Sequence, residues 1–138
     1  MDTTFNVYTL VVDGAKLAAA EQIGRARAVV AEAPAGVAGN DLRGLAQDVR
    51  GRLPANDPGV VLLASRADGS NGAVAFVAAV NEPGRAIGLG AGDLVKVFAP
   101  IIGARGGGKA DVAQGAGGDA SRLPEALRAA RAYLADHA

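Results

Sequence analysis

The chain has 138 residues, 50% of them hydrophobic, and its 14 basic residues balance its 14 acidic ones to a formal net charge of zero. That length suits one domain able to bury about two thirds of its unfolded surface, and the charge balance argues against a binder that holds nucleic acid by bulk positive charge. There is no Cys, and the single His, His137, lies one residue from the end, so no catalytic residue, disulfide, metal centre or cofactor is expected. No apolar run reaches membrane-spanning length and Met1–Thr4 carries no basic segment, so neither a membrane span nor a secretory leader is expected, and the cytoplasm is the default compartment.

Phe5–Val12 is rich in aromatic and β-branched residues and runs into Asp13-Gly14, the composition of a strand that reaches a turn. Ala15–Ala33 is Ala-rich and stopped by Pro34, which predicts a helix. Residues 1–34 are therefore set apart as an N-terminal strand and helix, a candidate linker or dimerisation element, from a globular unit over 35–138. Pro34–Gly39 reads as a loop, with Asn40 and Asp41 as caps for the next helix. In that helix Leu42, Leu45, Ala46, Val49 and Leu53 recur on one face, ahead of Pro54. Its Arg43, Asp48, Arg50 and Arg52 read as a solvated face.

Val60–Ala64 and Ala73–Val80 are apolar runs bounded by turn residues, read as two buried strands joined as a hairpin. Neither alternates apolar with polar, so helices are expected on both faces of the sheet. Gly84–Gly92 reads as a glycine-spaced connection and Asp93–Ile102 as a buried helix whose last turn Pro100 should kink or end early. Ser121 is the expected cap of a final helix carrying Leu123, Ala126, Leu127, Ala130 and Leu134 inward. The predicted fold is α/β (α+β): one small domain with a mixed sheet covered by helices and a glycine-rich loop before the last helix.

That stretch, Gly103 to Gly118, sets glycines among Arg105, Lys109, Asp111 and Gln114. Gly106-Gly107-Gly108 gives no side chain to pack and raises the entropy lost on ordering. A turn that exposes successive amides between Arg105 and Lys109 would suit phosphate. The bland alternative is a tight connection in which the glycines allow positive φ and close packing. Gly103 to Lys109 fits the spacing of a nucleotide-binding P-loop, but Ala110 stands where that motif needs a hydroxyl for Mg²⁺, and the stretch leaves a helix instead of a strand. Gly88-Leu-Gly90-Ala-Gly92 misses the dinucleotide-binding spacing by one residue.

Arg105-Gly-Gly-Gly-Lys-Ala-Asp-Val-Ala-Gln114 followed by Gly117-Gly118 resembles the glycine-rich signature of the C-terminal domain of alanyl-tRNA synthetases, a domain related to one that follows the catalytic domain of DHH-type phosphoesterases. Ala104, Ala110 and Val112 depart from the pattern, where glycine, proline and methionine are usual; none of these removes a charge. The resemblance implies a non-catalytic domain that docks on the outer corner of tRNA, tRNA-Ala being the implied species, in support of aminoacylation and editing domains carried by the rest of a synthetase chain. It implies RNA contacts by Arg105, Gly106, Gly107, Gly108, Lys109, Asp111, Gln114, Gly117 and Gly118. Asp111, an acid beside phosphate, is expected to orient Lys109 or Arg105 or to cap the local backbone. Two other readings stay open. One is the substrate-binding domain of a DHH-type phosphoesterase, holding the phosphate of an oligonucleotide or dinucleotide, although Lys109 stands where that signature commonly has histidine. The other is a dimerisation module acting through the Ala15–Ala33 helix, with a second copy of the chain as partner.

Overall fold

The computed structural model describes residues 11–12, 15–16, 21–33, 39–53, 56–66 and 73–137. Among them, β3 (Glu21–Ile23), β4 (Ala26–Glu32), β5 (Gly59–Arg66), β6 (Val74–Val80), β7 (Ala104–Gly108) and β8 (Val112–Gly117) form one sheet in the order β3-β4-β5-β6-β8-β7. β4 and β5 run parallel and the other neighbours antiparallel. β1 (Val11–Val12) and β2 (Ala15–Lys16) form a separate two-stranded ladder. The helices are α1 (Gly39–Arg52), α2 (Glu82–Ala86), α3 (Ala91–Phe98) and α4 (Leu123–His137).

Two apolar layers explain why the central strands lack alternation. α1 lies on one face and buries Leu42, Ala46 and Val49, with Leu53 just beyond it, against Val29, Ala31, Val61, Leu63, Val77 and Ala79. α3 and α4 cover the other, placing Leu94, Val95, Phe98, Leu123, Ala126, Ala130 and Leu134 on Val30, Leu62, Phe76 and Ala78. β5 is therefore buried along nearly its whole length, as expected of a strand covered on both sides. The mixed sheet under helices and the β5–β6 antiparallel pair match the sequence reading.

Of the helix expected over Ala15–Ala33, residues 17–20 lie outside the described residues and the rest holds β2, β3 and β4, with β4 inside the main sheet beside β5. Ala has the highest helix propensity, but Ala26, Ala28 and Ala31 are buried between two helical layers, where small residues let the helices approach the sheet. Gly24, at φ 59°, makes the left-handed turn between β3 and β4. Most of the expected strand Phe5–Val12 lies outside the described residues, Val11 and Val12 being strand. Of the loop Pro34–Gly39, residues 34–38 lie outside them too, and Gly39 already belongs to α1.

The connection Gly84–Gly92 contains the end of α2 and the start of α3. α3 stops at Phe98 and passes into a 3₁₀ turn, Ala99–Ile102, that holds Pro100 near its start, the early ending that proline imposes. Before α4, the cap is Asp119 and not Ser121: the Asp119 carboxylate accepts from the Ser121 amide at 2.9 Å. That hydrogen bond holds the Asp119 carboxyl below the usual carboxylate range.

The glycine-rich stretch, expected as a loop, is an antiparallel hairpin, β7 with β8, at the edge of the sheet. Glycine is a poor strand former, so something else must hold it. Phe76 of β6 supplies that support. Its ring lies beneath Gly115 and Gly106, which face each other across the hairpin, and meets Phe98 at a centroid distance of 5.0 Å and a tilt of 56°. A Cβ at Gly115 would stand 2.6 Å from Phe76 Cζ, and one at Gly106 would stand 3.0 Å from Phe76 Cε1. Gly115→Ala and Gly106→Ala should each lower stability by about 1–3 kcal/mol through overpacking, measurable by urea unfolding. Asn81 ties the fold together at the other end of β6: its Oδ1 accepts from the amides of Gly59 (2.8 Å) and Gly84 (2.9 Å), and its Nδ2 donates to the Asp57 carbonyl (2.9 Å). Asn81→Ala should cost about 1–3 kcal/mol by stranding those groups, while Phe76→Leu should give a smaller loss than Phe76→Ala, for which about 3–5 kcal/mol is expected.

Candidate nucleic-acid interface

The hairpin turn is anchored by backbone bonds. The Lys109 amide donates to the Val112 carbonyl (3.0 Å), the carbonyls of Ala110 and Lys109 accept from the Ala91 and Gly92 amides at the start of α3 (2.9 and 3.1 Å), and the Asp111 carbonyl accepts from the Val80 amide (2.9 Å). Arg50 of α1 adds a guanidinium bond to the same Asp111 carbonyl at 3.2 Å. Gly92 eases this approach, since a Cβ there would stand a tight 3.1 Å from the Gly108 carbonyl. Two amides at the start of α3 are thereby satisfied by the turn and are not left for a phosphate.

The strand geometry changes how the glycine run can meet a ligand. A loop would offer successive amides, whereas an antiparallel ladder alternates them. Because the Lys109 amide bonds back to Val112 and Gly107 pairs with Gln114, the alternation turns the Gly106 and Gly108 amides away from β8, toward the open edge. Gly106 and Gly108 lie in register with Gly115 and Ala113 on the α3 side. Arg105, Gly107 and Gln114 fall on the α1 side.

On that side a cleft of about 330 Å³ opens between α1 and the hairpin. Arg43 and Gln47 come from α1, one turn apart; Gly107, Lys109, Asp111 and Gln114 come from the hairpin. Gly107 lines it with nothing within 4 Å of where a Cβ would stand, so packing does not require glycine there. Gln114 lines the cleft, and its Oε1 is buried with no hydrogen-bond partner among the described residues, a polar group left unmet in the free chain. The described salt bridges engage Arg27, Arg52, Arg66 and Arg122 and leave Arg43, Arg105 and Lys109 without a carboxylate. Arg105 and Lys109 are exposed. The cleft can accept an anion flanked by groups that hydrogen-bond.

The structure therefore gathers Arg105, Gly107, Lys109, Asp111 and Gln114 about one edge, with the Gly106 and Gly108 amides along it. Asp111 acts through its backbone carbonyl, which joins β6 and α1 to the turn. Gly117 and Gly118 stand at the far end of the hairpin with φ of 116° and 79°, and Gly118 packs on the Ile102 carbonyl, so both have a backbone reason to be glycine. Sequence reasoning read Arg43 as part of a solvated face and passed over Gln47. Their i, i+4 spacing marks one flank of α1, but only the position of β8 beside that helix turns the flank into a cleft wall.

Comparison with known proteins bears on this site. The DHHA1 domain family matches residues 25–136. The alanine–tRNA ligase of Nocardia farcinica is 51% identical over 117 residues, covering 85% of this chain and 13% of that protein. That of a Nocardioides species is 52% identical over 99 residues, covering 72% of this chain and 11% of that protein. The chain thus spans 13% and 11% of the length of these two relatives. The crystal structure of the C-Ala domain from Aquifex aeolicus alanyl-tRNA synthetase superposes with a TM-score of 0.71 at 26% identity, covering 84% of this chain and 97% of that one. With its sequence matched to the family from residue 25 to 136 and its fold shared with that structure, the chain belongs to the DHHA1 domain family.

Proposed function

We propose that the chain is the tRNA-docking C-terminal domain of an alanine–tRNA ligase, holding folded RNA along the β7–β8 edge while catalysis is carried out by other domains. The observation that carries this reading is the cleft between α1 and the hairpin, where Arg43 and Lys109 join no salt bridge among the described residues, Arg105 stands exposed on the same side of the strand, and Gly107 leaves room for close approach. Phosphates bind the Arg105 and Lys109 charges and the edge amides of Gly106 and Gly108. Gln114 offers its side-chain amide to a ribose or base edge. Gly117 and Gly118 hold the base of the hairpin that presents these groups. The similarity to alanine–tRNA ligases makes tRNA-Ala the first RNA to test and the rest of a ligase chain the second partner. Such a ligase works in the cytoplasm. Among the described residues no helix is long and apolar enough to cross a membrane. A second copy of the chain is a separate question, which sedimentation answers.

With few cations at the edge, binding is modest and becomes effective through tethering to the neighbouring domains. A titration of tRNA-Ala transcript at several salt concentrations should give a slope of log affinity against log salt of roughly −2 to −4, at about 0.7 to 0.9 per phosphate contact. Arg105→Ala combined with Lys109→Ala should reduce that slope by about 2 and weaken binding at least tenfold; unchanged binding would refute the site. Gly107→Ala should weaken RNA binding without lowering the urea midpoint, since the added methyl meets nothing in the free chain. If di- and trinucleotides bind as tightly as intact tRNA, the phosphoesterase substrate-domain reading replaces this one.

A further inference from the structure

Lys109 stands at the crest of the hairpin and lines two clefts, one on each side. The second, about 170 Å³, lies on the α3 side between the turn and the start of α3, where Gly90, Gly92, Asp93 and Lys96 face Gly107, Gly108 and Lys109. Lys96 is exposed and is absent from the described salt bridges, although Asp93 precedes it by one turn. Asp93 lines the cleft too, its carboxylate oxygen 3.2 Å from where a Cβ on Gly90 would stand, so Lys96 and Lys109 are the cations of a cleft that also holds one acid. Between the two clefts runs the open edge of β7, whose outward amides belong to Gly106 and Gly108. Cationic groups thus line a path from Arg43 and Arg105 on the α1 side, over the edge at Lys109, to Lys96 on the α3 side. A phosphodiester chain, with a charge at each nucleotide, matches such a path better than a single bound anion would, because one phosphate cannot reach both faces of a sheet.

We infer that the RNA backbone crosses the sheet edge at the hairpin turn and that Lys96 holds a phosphate on the far face. The inference rests on the RNA-docking reading above and adds a contact outside the glycine-rich stretch. The test compares Lys96→Ala, Lys96→Arg and Lys109→Ala in the full chain, titrating tRNA-Ala transcript at several salt concentrations. Lys96→Ala should weaken binding about threefold to tenfold and lower the salt slope by about 0.7 to 0.9, Lys96→Arg should restore both, and the urea midpoint should stay where it is because the side chain is exposed. If Lys109→Ala weakens binding while Lys96→Ala changes neither affinity nor slope, the RNA stays on the α1 side and the inference is overturned with the docking reading intact. If the unaltered chain binds no RNA, both are overturned.

Discussion

The edge hairpin exists because of one aromatic ring. A strand of sequence Ala-Arg-Gly-Gly-Gly has little intrinsic reason to be extended, and at a sheet edge it has only one neighbour to pair with. Phe76, seated on Phe98 and spanning the opposed Gly115 and Gly106, replaces the cross-strand side-chain contacts that glycines cannot make. The same ring, together with the backbone of the opposing strand, leaves those two positions no room for a Cβ. With the strand held from below and its turn fixed to α3, β6 and α1, the groups above it are presented without a large ordering penalty.

This separates the glycines into two kinds that are indistinguishable in the sequence. Gly106, Gly108, Gly115 and Gly118 are demanded by contacts inside the fold, with backbone or the Phe76 ring where a Cβ would be. Gly107 is not. It alternates onto the α1 side, over open space, and is the member of the triplet for which close approach of an outside partner gives the better account. The packing account of the stretch therefore covers four of its glycines and leaves Gly107 without a packing reason.

What could be read from the sequence follows the same division. The stripe Leu42, Ala46, Val49 and Leu53 announced α1 because a helix against one sheet face leaves a period in the sequence, and the apolar runs of β5 and β6 announced themselves by lacking one. Ala15–Ala33 misled because alanine serves two ends: it favours helix in isolation, and it lets helices sit close when a strand is buried between them. Val29 and Val30, together with Gly24, were the contrary signals. The charge of the glycine stretch was legible, but its partners across space, Arg43 and Gln47 on α1 and Lys96 on α3, were not, since no local pattern tells which flank of a helix borders a distant hairpin.

A chain of zero net charge can still hold a polyanion if its charges are sorted. Here, among the described residues, four arginines meet acids, at Arg27–Asp57, Arg66–Glu32, Arg52–Asp48 and Arg122–Glu125, while Asp111 and Asp93 line the clefts beside the hairpin. Each such pair adds little stability at an exposed site, but each removes an arginine from the long-range field and leaves Arg43, Lys96, Arg105 and Lys109 to outnumber Asp93 and Asp111 around the hairpin. A strongly basic domain would bind any nucleic acid and release it slowly; a neutral one whose cations share an edge would bind weakly and in register with that edge. Weak, oriented binding suits a domain that works beside others on the same substrate, because tethering supplies the missing affinity and leaves the substrate free to move between them.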